Sequence, residues 1–299
     1  MENFIIILAY LLIGIAIRRI PQFPSETGNS LNLFVIYISL PAVILRTIPR
    51  LPVSTEILVP AVMPWVMLVF SCAGVLLLSK ILKWDRHITG CLLLVVPLGN
   101  TSFLGIPMVR AFFGEEVTPY AVLYDQLGSF LALATYGSLV IAFYGTQDSK
   151  PTVTSVVQKI ITFPPFIALL SAFILKPFEY PAVVSSLLEA LGSTLVPVVM
   201  IAVGYQLTLR LSSETKAPLA IGLVFKLMIA PLTALILCRA IGLEGKVVDV
   251  SIFEAGMPPM VSAGALAILA GLSPALTAAL VGLGIVLSFG TLPILYYLL

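Results

Sequence analysis

Long intervals without a charged side chain are the feature that most restricts how this sequence can fold. The first runs from Phe4 to Ile17 and ends at Arg18 and Arg19. Because a charge in lipid costs several kcal/mol, lysines, arginines and carboxylates tend to mark the ends of membrane helices. Dividing the chain at its charges and polar turns predicts ten spans, at residues 2–19, 27–46, 57–83, 88–113, 117–145, 154–175, 181–208, 217–240, 247–271 and 274–299.

The composition excludes a soluble globular protein. Of the 299 residues, 60% are hydrophobic and 10% are charged, whereas a soluble domain carries about 25% charged residues. Ten helices of about 20 residues leave roughly 11 residues for each gap, which excludes a large extramembrane domain. The net charge of +2 is small and dispersed, so nucleic acid is not an expected partner. The predicted fold class is an all-α polytopic membrane protein whose partner is the lipid bilayer.

Neither the cysteines nor the amino-terminal segment indicates further chemistry. Cys72, Cys91 and Cys238 lie in apolar stretches without CxxC spacing, so we expect packing thiols, no disulfide, no bound metal and no cofactor. A cleavable signal has its positive charge before the apolar run, whereas Arg18 and Arg19 follow it here. The first span is therefore predicted to be retained.

The distribution of basic residues predicts the orientation of the chain. One side of the ten-span topology collects nine of them: Arg18, Arg19, Lys80, Lys83, Arg86, Lys150, Lys159, Arg210 and Lys216. The other side collects six: Arg46, Arg50, Arg110, Lys176, Arg239 and Lys246. The excess of lysine and arginine on cytoplasmic loops places the first set inside the cell and both termini outside. The expected location is the inner (plasma) membrane.

Ten spans suggest an internal duplication. Residues 1–150 and 151–299 would each hold five spans, and an odd number per half forces the halves into opposite orientations. Residues 39–43, Ser-Leu-Pro-Ala-Val, are similar to residues 195–199, Leu-Val-Pro-Val-Val. The fourth span of each half is the most interrupted by proline and glycine. Paired discontinuous helices in inverted repeats are typical of a transporter site.

The interrupted spans are predicted to open at mid-membrane. Val96–Pro107 holds two prolines and two glycines around a polar run, and Glu254–Gly264 holds a Pro-Pro pair and two glycines. Backbone groups freed in this way must face protein or a water-filled cavity. Two helix amino termini meeting there would favour a carboxylate. The alternative is that proline and glycine serve only close helix packing, which explains a single kink better than two equivalent ones.

At these breaks the sequence resembles a known family. Asn100–Pro107 is similar to the Asn-Thr-x-x-x-Gly-Ile-Pro crossover of the auxin efflux carriers, which include the plant PIN-type auxin exporters and many bacterial carriers. Met257–Pro259 resembles the second crossover of that family. Similarity extends to residues 39–42, 164–170 and 226–231, so the resemblance covers nearly the whole chain.

The resemblance implies ten helices in two inverted five-helix repeats with crossed discontinuous helices, as in sodium/proton antiporters and bile-acid symporters. Spans 1, 2, 6 and 7 would form a scaffold, and spans 3–5 and 8–10 a transport domain. A homodimer through the scaffold is a further expectation. The substrate would be a small organic anion. Its predicted binding residues are Pro97, Gly99, Asn100, Thr101, Ser102, Pro258 and Ser262.

This chain departs from the family at two places beyond the second crossover. Ser262 stands where bacterial members often have asparagine, and Ala267–Ala270 is apolar where many carry charged residues. A shorter polar side chain leaves more room for the substrate. The identity of one family member's substrate therefore does not transfer, and both mono- and dicarboxylates stay open.

A few ionisable residues fall inside predicted spans, where they are costly and face a cavity or each other. The predicted coupling group consists of Asp125, Gln126, Lys226 and Glu254. A carboxylate there could exchange a proton, and Lys226 could hold a carboxylate ionised or take the place of a sodium ion, so the coupling ion is a proton or sodium. The alternative is a set of structural pairs, such as Lys226 with Glu254 or Asp125.

Two other charges have more local interpretations. Glu189 is expected to be a scaffold or interface residue. Arg110 is expected to snorkel towards the headgroups or to attract anions at a vestibule.

The leading functional hypothesis is a secondary carrier that works by alternating access, with substrate at the crossover of spans four and nine. An anion channel, or an ion-coupled symporter or antiporter of the bile-acid/sodium type, is the alternative. An intramembrane enzyme is not expected, because the sequence has no HExxH motif, no GxSxG motif and no diphosphate site. No catalytic residue is predicted, and no Walker motif for ATP-driven pumping is present.

Overall fold

The computed structural model describes residues 2–51, 55–146, 152–207 and 216–299, and in these ranges it has helices and no strand. The helices are α1 Glu2–Ile17, α2 Thr27–Arg50, α3 Thr55–Leu82, α4 Arg86–Val95, α5 Thr101–Phe113, α6 Thr118–Tyr144, α7 Val153–Ile161, α8 Pro164–Leu175, α9 Ala182–Gln206, α10 Lys216–Ala240, α11 Lys246–Ala255, α12 Val261–Leu269 and α13 Pro274–Leu298. The predicted all-α class is confirmed for this part of the chain.

Six of these helices are long and apolar enough to cross a membrane: α2, α3, α6, α9, α10 and α13. The pair α7 and α8 bends by 63° at its break and would be a seventh span if it counts as one. Helices α1, α4 and α5 are shorter and apolar. The count of ten spans and the inverted repeat stay predictions. Lys150, Arg210 and the predicted boundary between the halves at 150 and 151 lie outside the described residues.

Wide π-helical turns occur just before prolines in three helices. The turns are Val35–Ser39 before Pro41, Thr101–Gly105 before Pro107, and Phe225–Ile229 before Pro231. In two of them a backbone N–H bonds five residues back, from Leu40 to Val35 and from Ala230 to Phe225. A proline has no N–H and crowds the carbonyl four residues earlier. The wider turn absorbs this defect without breaking the helix.

Contacts divide the chain into two compact units. The first comprises Met1–Thr55, Ser102–Val122 and Gln158–Leu207. The second comprises Glu56–Thr101, Leu123–Val157 and Thr208–Leu299. Neither unit is continuous in sequence. Some of the boundaries between them fall inside helices, as at residues 122 and 123 in α6 and residues 157 and 158 in α7.

The first unit is built on close helix contacts that glycine permits. Helices α1 and α9 lie backbone to backbone, and a Cβ atom added at Gly204 would lie 3.0 Å from the carbonyl carbon of Leu11. Helix α2 packs against α8 and α9. There the hydroxyl groups of Ser39 and Thr194 are 2.7 Å apart, so the two similar stretches of sequence begin side by side.

The second unit contains an apolar core. Buried leucines, valines and alanines of α4, α10, α12 and α13 pack together, among them Leu92, Leu94, Ala263 and Leu280. Helix α6 widens into a π segment over Tyr124–Phe130, which packs on α3. The core holds the ends of the interrupted helices in position, and these ends form the candidate site.

Candidate functional site

Two interrupted helices meet in the second unit. Helix α4 ends at Val95 and α5 begins at Thr101, while α11 ends at Ala255 and α12 begins at Val261. Proline and glycine in the intervening residues prevent helix continuation because proline lacks an N–H and glycine has no side chain to restrict its backbone. Both openings therefore follow directly from local sequence.

The two breaks pair with each other through their backbones. The amide nitrogen of Asn100 donates to the carbonyl oxygen of Pro258 at 2.7 Å, and that of Met260 donates to Leu98 at 2.9 Å. Gly99 and Pro259 form an isolated antiparallel bridge at the centre. Unpaired backbone groups are prohibitively costly in lipid. This short bridge satisfies several of the groups that the two breaks release.

The side-chain amide of Asn100, at the bridge, is a hydrogen-bond donor without an acceptor. The residue is 1% exposed, and its side-chain nitrogen Nδ2 has no hydrogen-bond partner among the described residues. A buried amide N–H₂ without an acceptor costs about 1–3 kcal/mol. An acceptor such as a carboxylate oxygen would relieve this cost.

Asp125 lies beside the bridge with both carboxylate oxygens engaged. The hydroxyl of Thr101 donates to Oδ1 at 2.5 Å, and the amide Nε2 of Gln126 donates to Oδ2 at 2.6 Å. Hydrogen bonds to a charged acceptor are short and roughly twice as strong as neutral ones. The arrangement therefore suits an ionised aspartate, and it joins three residues that the sequence predicted for the site.

Lys226 supplies a buried cation beside Gly99 of the bridge. Its ammonium donates to the carbonyl oxygen of Ala255 at 3.2 Å, where α11 ends and the helix dipole is negative. A Cβ atom added at Gly99 would lie 3.1 Å from the same nitrogen, which is tighter than ordinary contact. Glycine at position 99 thus lets the ammonium reach the bridge.

Glu254 is the least satisfied charged group of the site. It is 0% exposed, and neither carboxylate oxygen has a hydrogen-bond partner within the described residues. The alternative of a hydrogen-bonded Lys226–Glu254 structural pair is therefore absent here, because Lys226 donates to a backbone carbonyl instead. The fields of Asp125 and Lys226 nevertheless reach Glu254.

A small cavity is lined by Thr101, Lys226 and Glu254, but not by Asn100, Asp125 or Gln126. Its volume is about 10 Å³, which is room for roughly one water molecule. Its lining consists of Pro64, Met67, Leu68, Ser71, Pro97, Leu98, Gly99, Thr101, Tyr124, Ser129, Ala132, Lys226, Ala230, Glu254 and Ala255. In this conformation the cavity is too small for an organic anion.

The structure brings most of the predicted residues together but not all. Five of the eleven predicted residues line the cavity, and six do not: Asn100, Ser102, Asp125, Gln126, Pro258 and Ser262. Ser102 is half-buried in α5, and Ser262 is exposed on α12. Pro258 is buried and takes part through its carbonyl oxygen.

The lining also includes Ser71 and Tyr124, which the sequence did not place in the site. Ser71 could have been suspected from the sequence, because it is a polar residue within a charge-free stretch of a predicted span.

A second group of charges lies in the first unit. Arg46 contacts Glu115 at 2.9 Å and Glu189 at 3.2 Å, and Arg110 also pairs with Glu115. Partial burial disfavours the ionised form of Glu115, but the two guanidinium groups outweigh it and lower its pKa. Arg46, Glu115 and Arg50 also line an open cavity of about 400 Å³. Glu189 and Arg110 thus form ion pairs within this unit.

Comparisons with known proteins agree with a transport role. An uncharacterized transporter of Methanocaldococcus jannaschii is 31% identical over 269 residues, covering 86% of this chain and 85% of the relative. A second one, from Methanothermobacter thermautotrophicus, is 25% identical over 299 residues, covering 98% and 96%. A Rhizobium meliloti protein named "Putative malonate transporter" is 24% identical over 233 residues, covering 74% and 71%.

These descriptions favour transport over catalysis. The sequence model of the family described as Membrane transport protein matches residues 1–296. The match covers both interrupted helices and all the residues of the bridge. The chain therefore belongs to this family of integral membrane transporters, the auxin efflux carriers.

Proposed function

We propose that this chain moves a small organic anion, a carboxylate, across the inner (plasma) membrane by alternating access. The substrate binds at the crossover of the fourth and ninth spans, in a ten-span topology with both termini outside. Asp125, Gln126, Lys226 and Glu254 form the coupling group.

The observation that carries this proposal is the bridge between the two breaks, with its unused donor. Asn100 offers a buried side-chain N–H₂ without an acceptor, and Lys226 offers a buried ammonium beside Gly99, the residue that precedes Asn100. A carboxylate accepts hydrogen bonds from both kinds of donor. No other acceptor for Asn100 Nδ2 exists among the described residues.

Alternating access is supported by the size of the cavity and the division of the chain. A cavity of about 10 Å³ excludes any organic acid, so the site must open to admit its substrate. Helices α4, α11 and α12 fall in one compact unit with the ionisable residues of the site, whereas α5 belongs to the other unit from Ser102 onward. The residues of both breaks, 96–100 and 256–260, lie in the same unit and can move as parts of it.

The test is counterflow in liposomes that contain the purified protein. Malonate is the first probe because of the name of the Rhizobium meliloti relative, followed by aromatic and aliphatic monocarboxylates. We expect saturable exchange of labelled against unlabelled acid. Flux that rises linearly with concentration and shows no counterflow would indicate a channel.

Asn100→Ala provides the site-specific arm of this test. We expect the variant to fold and to lose saturable exchange. The matched control is Asn29→Ala, which changes an exposed asparagine in the first unit. Equal exchange by Asn100→Ala and the wild type would refute the assignment of the crossover as the binding site.

A further inference from the structure

The acidic side chains at the crossover outnumber the basic ones. Asp125 and Glu254 are acidic, and Lys226 is the basic residue facing them. Tyr124 is the remaining ionisable side chain on the cavity wall. The neighbouring helices add no charge there: α3 and α10 otherwise contribute Pro64, Met67, Leu68, Ser71 and Ala230, and α13 contains no charged residue. With all three groups ionised, the site carries one excess negative charge.

The two carboxylates are held in different ways. Asp125 accepts hydrogen bonds at both oxygens, from Thr101 and Gln126, so its negative charge is solvated by protein. Glu254 accepts none and is completely buried. A buried carboxylate without hydrogen bonds is far more costly as an anion than as a neutral acid. Asp125 is thus arranged to balance Lys226, which leaves Glu254 as the group that can gain or lose a proton.

A carboxylate substrate adds another negative charge to this closed space. Like charges a few ångströms apart disfavour each other's ionised forms. Bound anion therefore favours the neutral form of Glu254, and the reciprocal effect must hold, so that a proton on Glu254 favours the anion. The sign of this linkage places anion and proton in the site together.

We infer that the substrate anion binds together with a proton held by Glu254, which makes the carrier a proton symporter. This inference rests on the proposed function and specifies its coupling ion. The proton goes from water to a carboxylate oxygen of Glu254, and the substrate stays an anion next to Lys226 and Asn100.

The test measures proton uptake and binding together on the purified full-length protein. Malonate is added to weakly buffered protein with a pH-sensitive dye, and its affinity is measured by calorimetry over a range of pH. At a pH high enough to ionise Glu254 in the empty site, we expect uptake of up to one proton per site and an apparent Kd that rises up to about tenfold per pH unit. Affinity should not depend on sodium concentration.

Glu254→Gln separates this effect from the titration of the acid itself. The amide mimics the neutral carboxyl group, so the variant should fold, bind malonate and take up no proton. Any pH dependence that persists in it belongs to malonate. Glu244→Gln, at an exposed loop residue, is the matched control and should behave as the wild type.

Each outcome decides the inference. Saturable binding with a constant Kd and no proton uptake across the whole pH range overturns it and leaves the proposed function intact, as does binding that requires sodium. Undiminished proton uptake by Glu254→Gln overturns the role of Glu254. Failure of the wild type to bind any tested acid at any pH overturns the proposed function and the inference with it.

Discussion

The backbone N–H of Asn100 donates a hydrogen bond to the carbonyl oxygen of Pro258, 2.7 Å away. This bond joins the two interrupted helices at their breaks. The bond holds the first break in register with the second. The ammonium of Lys226 lies next to Gly99, the residue that precedes Asn100. Four predictions follow from this geometry and from the ion pairs of the first unit.

Gly99→Ala should weaken anion binding while the protein still folds. The added Cβ would lie 3.1 Å from Lys226 Nζ and 3.5 Å from Thr101 Cγ2, so the ammonium must move. Overpacking of this kind costs about 1–3 kcal/mol. Thermal unfolding and malonate binding would measure both effects. Gly290→Ala is the control, since no atom lies within 4 Å of its added Cβ; equal affinity in the two variants would contradict the prediction.

Thr101→Val should destabilise the second unit through Asp125. The change removes the hydroxyl that donates to Oδ1, and loss of a partner from a buried charged acceptor costs about 1–3 kcal/mol. The unfolding midpoint in detergent should fall. Thr291→Val is the matched control because the Thr291 hydroxyl has no partner among the described residues. A similar midpoint for the two variants would show that the Thr101 bond contributes nothing.

Lys226→Met should preserve the fold and reduce anion affinity. Methionine keeps much of the side-chain volume, whereas the ammonium and its bond to Ala255 are lost. A hydrogen bond to a charged group contributes about 1.5–3 kcal/mol, equivalent to roughly tenfold or more in Kd. Calorimetry with malonate measures the loss. Wild-type affinity in this variant would remove Lys226 from the binding site.

Glu115→Gln should reduce the acid sensitivity of the protein. Arg110 and Arg46 lower the pKa of Glu115 below its unfolded value. Its ion pairs therefore add stability above the unfolded pKa of about 4.3, and this contribution disappears as the pH falls through the lower folded pKa. Unfolding midpoints across acidic pH would reveal the difference. Glu56→Gln, at an exposed position in α3, should keep the wild-type acid profile.

The positions of the helices and of their breaks were predictable because their causes are local. A charge in lipid is costly wherever it lies, so Arg18 and Arg19 mark the end of α1 at Ile17. Pro97 and Pro258, each two residues from a glycine, lie outside helices, whereas Pro64 and Pro293 are accommodated inside them. The all-helical class follows from the same argument, because a chain this apolar must pair its backbone groups internally.

Tertiary structure alone decided which of these groups meet and which stay unsatisfied. Lys226 donates to Ala255 rather than to Glu254, and Ser262 is exposed although it lies only four residues after Pro258. Sequence spacing assigns residues to helices, but side-chain contacts depend on how each helix is rotated against its neighbours. That rotation comes from packing among segments far apart in the chain. Among the described residues it leaves the side-chain nitrogen of Asn100 and the carboxylate of Glu254 without hydrogen-bond partners.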